Sequence, residues 1–80
     1  MKIPQELQSI VTSTPETLHG AARFVHTRVF VQSLFDYVMK GHSVDVFPDH
    51  FPDVTREQAE AVLNWESDRL RREFGYELTV

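Results

Sequence analysis

A catalytic or metal site in this chain would have to be assembled from four histidines and twelve carboxylates. The histidines are His19, His26, His42 and His50. No two stand four apart, the spacing that places two ligands on one helix face, and no H-E-x-x-H occurs. Gly20, Gly41 and Gly75 are too dispersed to form a phosphate-cradling loop, and no G-x-S-x-G is present. The chain has no cysteine, which removes disulfides, thiolate metal sites and cysteine nucleophiles. Asp45, Asp49 and Asp53 recur every four residues around Pro48, close to His50, a spacing that a hard cation could use. The same residues also suit helix dipoles and turns, and that simpler reading is preferred. The expectation is a protein that is not an enzyme, with no cofactor and no metal.

The arginines offer binding rather than catalysis. Arg28 lies inside an apolar run, where an unpaired charge is costly. It either contacts a phosphate or a partner's acidic site, or bridges a carboxylate such as Asp36 or Asp53 and fixes the fold. The structural role is preferred. If the last helix read DNA, its first turns would present Arg56 and Gln58, with Arg23 contributing from the ribbon. Glu57 and Glu60 would oppose phosphates there. Arg69, Arg71 and Arg72 cluster at the far end of that helix, where i, i+4 pairs such as Asp68–Arg72 are the plain expectation.

These groups must be carried by a small set of elements. Residues 1–9 read as a loosely held leader. Ile10-Val11-Thr12 is a short β-prone run closed by Ser13-Thr14-Pro15. Arg23 to Val31 alternates as a second strand. Ser33 to Lys40 reads as a helix ended by Gly41, a natural left-handed C-cap. Ser43 caps a short second helix from Val44, which Pro48 should bend or turn partly into 3₁₀. Thr55-Arg56-Glu57-Gln58 is a capping box opening a third helix that runs to about Glu73 and stops near Gly75. The whole is mainly α: a short N-terminal β ribbon, then a three-helix, helix-turn-helix-like bundle. One domain spans residues 1–80, divided into leader and ribbon (1–31), three-helix unit (32–74) and C-terminal tail (75–80).

Eighty residues, 41% of them hydrophobic and 25% charged, are enough for one core and no more. The longest apolar run, Val29-Phe30-Val31, is far too short to cross a membrane, and the start of the chain lacks the apolar stretch of a secretory signal. The expected location is the cytoplasm. The net charge of -4 suits a basic protein partner better than bare nucleic acid. Nine aromatic side chains (Phe24, Phe30, Phe35, Tyr37, Phe47, Phe51, Trp65, Phe74 and Tyr76) exceed what three short helices easily cover. Some of Phe24, Phe30, Trp65, Phe74 and Tyr76 are therefore expected in a protein interface.

One set of residues resembles a known family. In order, these are Ile10-Val11, Pro15, Gly20, His26-Thr27-Arg28, Val29-Phe30-Val31, the helix Leu34-Phe35-Asp36-Tyr37 to Gly41, Ser43, Phe51-Pro52 and Thr55-Arg56-Glu57-Gln58-Ala59. Together they resemble the domain of unknown function 433, often described as VapB-like antitoxins. The match covers about two-thirds of the chain in unbroken order, and the ordered set is more specific than any element in it. His26 stands where the family has glycine before Thr27-Arg28, and histidine tolerates a positive φ better than most residues. Pro48 stands where the family has an aliphatic residue.

The resemblance implies a homeodomain-like unit, a homodimer, and the antitoxin of a toxin–antitoxin pair. Its partner would be a PIN-like ribonuclease toxin, neutralised by covering the acidic, metal-binding cleft, with repression of its own operon through operator DNA as a further role. The alternative from another class is a stand-alone helix-turn-helix transcriptional regulator. Residues expected at the toxin are Trp65, Arg69, Arg72, Phe74, Tyr76 and Leu78. Those expected at DNA are Arg23, Arg56 and Gln58, with Thr27 and Arg28 as a structural motif.

Overall fold

A computed structural model describes residues 2–75. Two strands form an antiparallel pair, β1 (Val11–Thr12) and β2 (Arg23–Phe24), in the register Val11↔Phe24 and Thr12↔Arg23. Three helices follow: α1 (Val31–Met39), α2 (Phe47–His50) and α3 (Arg56–Phe74). The chain is mainly α with a short N-terminal ribbon, as its pattern suggests.

The long strand expected over Arg23 to Val31 does not exist. The chain runs as β2 for two residues, turns back over 25–28, and bridges Phe30 against Arg23. The Phe24 amide donates to the Val29 carbonyl at 3.0 Å and the Thr27 amide to the Phe24 carbonyl at 3.2 Å. His26 sits in the turn at φ 61, in the left-handed region where glycine is the usual occupant. Alternation in this segment was therefore two hairpin arms read as one strand. The period of two survives a tight turn, so pattern alone does not separate them.

Helix ends follow sequence chemistry closely. Ser43 Oγ accepts from the Asp45 amide at 3.1 Å and opens a 3₁₀ turn, Val44–Val46. Pro48 then lies in the first turn of α2, where its missing N–H costs nothing, and α2 is only one turn long. Thr55 and Gln58 make the capping box reciprocally: Thr55 Oγ1 accepts from the Gln58 amide and Gln58 Oε1 accepts from the Thr55 amide. Gly41 and Gly75 take positive φ at the ends of α1 and α3. At the first, the Gly41 amide reaches the Val38 carbonyl and the His42 amide reaches the Tyr37 carbonyl, a Schellman closure. The first helix begins at Val31 rather than Ser33.

The core joins the leader, the ribbon and all three helices. Leu7, Val11, Phe24, Leu34, Phe47, Val54, Ala59 and Val62 are buried together. Phe47 is its centre: its ring lies 4.5 Å from that of Phe51, 5.4 Å from Tyr37 and 6.4 Å from Phe24. Leu7 corrects the reading of residues 1–9 as loosely held. It is 7% exposed at the end of a 3₁₀ turn, Gln5–Leu7, and Ile3 packs beside it. A domain this small cannot leave the apolar cover of Ile3 and Leu7 unused. Phe24, expected among the interface aromatics, is fully buried in the core instead.

Candidate functional site

Two surfaces combine exposed or half-buried groups that the fold does not consume. One is an apolar groove between α1 and the second half of α3. It encloses about 610 Å³ and is lined by Phe35, Leu63, Glu66, Ser67, Leu70, Arg71 and Phe74. Leu63, Leu70 and Phe74 recur at i, i+7 and i+11 on α3 and so share one helix face. Toward its N-terminal end this helix buries Ala59 and Val62 in the core. Toward its C-terminal end nothing covers it among the described residues, and Leu70 is 41% and Phe74 78% exposed. Exposing two large apolar side chains side by side is a cost that a partner's burial would reverse, at roughly 1.5–3 kcal/mol for each side chain fully covered.

The charges along this end of α3 are partly committed. Arg69 pairs with Glu66 (i, i+3) and with Glu73 at 2.7 Å (i, i+4). These carboxylates raise the Arg69 pKa above its ordinary value, first through the hydrogen bond to Glu66. Arg69 is therefore braced on its own helix, and the expected Asp68–Arg72 pair is not formed among the described residues, where the ion pairs engage Arg56 and Arg69. Arg72 is exposed. Trp65 points elsewhere: it packs on the core and lines a second hollow with Lys2, Ile3 and Pro4. Of the residues expected at a partner, the structure thus places Phe74, Arg69 and Arg72 at one end of α3 and turns Trp65 toward the leader. Tyr76 and Leu78 lie outside the described residues.

The residues expected at DNA are dispersed. Gln58 uses its side-chain oxygen in the capping box. Arg56 pairs with Asp45 and, at 3.1 Å, with Glu60. The Arg56 guanidinium holds the Asp45 carboxyl below its usual range, chiefly through their hydrogen bond. This pair also accounts for one of the three periodic aspartates as a link between the 3₁₀ turn and α3 rather than a cation ligand. Arg23 is on the opposite side of the chain's order, in the ribbon.

Arg23 and Arg28 exchange the roles that their sequence positions suggest. Arg28 is exposed and makes no ion pair with Asp36 or Asp53. The half-buried arginine is Arg23, whose guanidinium donates to the Thr27 carbonyl at 3.0 Å and to Thr14 Oγ1 at 3.4 Å, spanning the turn. Thr27 is the pivot of that turn. It is 8% exposed; its hydroxyl donates to the Phe24 carbonyl at 2.9 Å and accepts from the Val29 amide at 3.0 Å. The one signal that would have found this arrangement is the turn itself: once 25–28 reverses, Arg23 and Thr27 become neighbours.

The model of the family described as "Protein of unknown function (DUF433)" matches residues 11–65, from β1 through the first half of α3. A crystal structure of a DUF433 member from Anabaena variabilis ATCC 29413 is similar in fold, with a TM-score of 0.65 and 27% sequence identity over 89% of this chain and 73% of that one. No curated protein matches. No helix among the described residues is long and apolar enough to cross a membrane. The hairpin turn, the Ser43 and Thr55 caps and the family match coincide, and the chain belongs to the DUF433 family.

Proposed function

We propose that this protein is an antitoxin: a non-catalytic cytoplasmic protein that binds a PIN-like ribonuclease toxin and blocks its RNA cleavage. The observation that carries the reading is the uncovered apolar groove of Phe35, Leu63, Leu70 and Phe74. Its apolar lining carries an exposed aromatic at one end, a composition that suits an interface hot spot. The segment from Glu66 to Phe74 lies past the residues that the family model matches, a suitable place for contacts specific to one partner. The net charge of -4 favours association with a basic, RNA-binding nuclease.

The alternative, a stand-alone helix-turn-helix regulator, draws less support. Two of its three base-reading candidates, Arg56 and Gln58, are engaged within the protein, and α2 has a single turn with which to brace α3 across a phosphate backbone. The deciding experiment mixes the purified protein with any PIN-like ribonuclease whose reading frame adjoins its own and follows cleavage of a labelled RNA. Stoichiometric inhibition that weakens at least tenfold in Phe74→Ala supports the reading. Unchanged cleavage at excess protein removes it, and a salt-sensitive, sequence-specific shift of operator DNA in its place would establish the regulator.

A further inference from the structure

The second surface is polar and sits at the hairpin turn. Thr17, Arg23, His26, Thr27, Arg28 and Asp53 line a cleft of about 450 Å³. We propose that this cleft is an oxyanion site of the phosphate class, with Arg28 as its principal ligand.

Charge accounting is the first reason. The chain is acidic overall, and among the described residues the salt bridges engage Arg56 and Arg69. Neither arginine of the cleft has a carboxylate of the described residues within salt-bridge distance, although Arg23 is half-buried and its Nε–H is fully shielded with no acceptor among them. A half-buried guanidinium held only by neutral oxygens, here Thr27 O and Thr14 Oγ1, keeps most of its charge unbalanced, and folded proteins ordinarily pair such a group. An anion in the cleft supplies the missing counter-charge.

Geometry is the second. The tight turn leaves Arg28 exposed and brings it to the same cleft as Arg23, so the fork of donors on Arg28 is unused among the described residues while Arg23 is held by the turn. His26 is held on the same turn at φ 61, a conformation that costs an ordinary residue energy and gathers at ligand-binding turns. Its imidazole adds a donor, and Thr17 stands on the facing loop. Asp53 is the one carboxylate among the lining residues, and it weakens an anion's hold there.

The site does not depend on the antitoxin reading, since it shares no residue with the apolar groove. Its test is a titration of the isotopically labelled full chain followed by amide NMR, with inorganic phosphate in one arm, and short single-stranded RNA and duplex DNA in two others. Saturable shifts confined to residues 17, 23–28 and 53 are expected, with affinity falling about tenfold or more in Arg28→Ala and rising in Asp53→Asn. Arg28 is exposed, so its replacement leaves the fold standing, unlike that of Arg23. Saturation by phosphate and not by the oligonucleotides identifies a free phosphate or phosphomonoester as the ligand. Saturation by an oligonucleotide at lower concentration identifies backbone phosphodiesters. No saturable shift at these residues into the millimolar range in any arm, or equal affinity in Arg28→Ala, overturns the proposal.

Discussion

Thr27 offers the sharpest test of the physical account of the hairpin. Replacing it with valine keeps the shape and removes only the hydroxyl. The Val29 amide then loses its acceptor at 3.0 Å, while the Phe24 carbonyl loses the hydroxyl at 2.9 Å but keeps the Thr27 amide at 3.2 Å. An orphaned donor in this part-buried position costs about 1–3 kcal/mol, and the better-compensated carbonyl costs less. The extra methyl returns under about 1 kcal/mol. The net loss for Thr27→Val is about 1.5–3 kcal/mol. Thr27→Ser makes the opposite cut: it keeps both hydrogen bonds and deletes a buried methyl, for about 1 kcal/mol. A chain of this size is stable by roughly 4–12 kcal/mol, so the valine variant should melt lower by roughly 6–24 °C and the serine variant by roughly 4–8 °C. Urea unfolding with unchanged m-values is the appropriate assay. A valine variant as stable as the parent, or a serine variant that is the weaker of the two, would mean that Thr27 holds the turn by packing and not by its hydroxyl.

Two other outcomes follow from the same geometry. His26→Gly should stabilise the protein by roughly 0.5–1 kcal/mol, because relief of about 1–2 kcal/mol of left-handed strain exceeds the entropy that glycine adds to the unfolded chain; thermal unfolding of this variant beside His26→Val, which should be clearly weaker than the parent, checks the order. The Asp45 carboxyl is held below its ordinary value in the folded protein, so the unfolded chain binds more protons as the pH falls, and the pair's contribution is present above about pH 4 and fades below it. Asp45→Asn should therefore flatten the acid limb of the stability profile, measured as urea midpoint against pH, and high salt should do the same to the parent because the pair is exposed; a parent profile that salt leaves unmoved would contradict this origin.

Sequence chemistry by itself settled the elements that depend on neighbours in the chain. Ser43, Thr55 with Gln58, Gly41 and Gly75 act over three or four residues, and each cap stands where its side chain or its tolerance of positive φ requires. Pro48 likewise divided the segment after Ser43 into a 3₁₀ turn and a one-turn helix that it opens, as its fixed φ and missing N–H favour. The family pattern was legible for the same reason, being an ordered string of such local signals. What the tertiary structure alone decided depends on burial. Leu7 became core and Phe24 left the list of interface aromatics because the small domain recruits every apolar group that its ribbon and leader can reach. The roles of Arg23 and Arg28 were exchanged by a turn whose two arms share one period, and a period of two carries no mark of where the chain reverses. The groove on α3 was visible in sequence only as a surplus of large apolar residues; which of them stay uncovered is decided by packing, since Ala59 and Val62 in the first half of α3 meet the core while Leu70 and Phe74 lie past it, a matter of contact between elements remote in the chain.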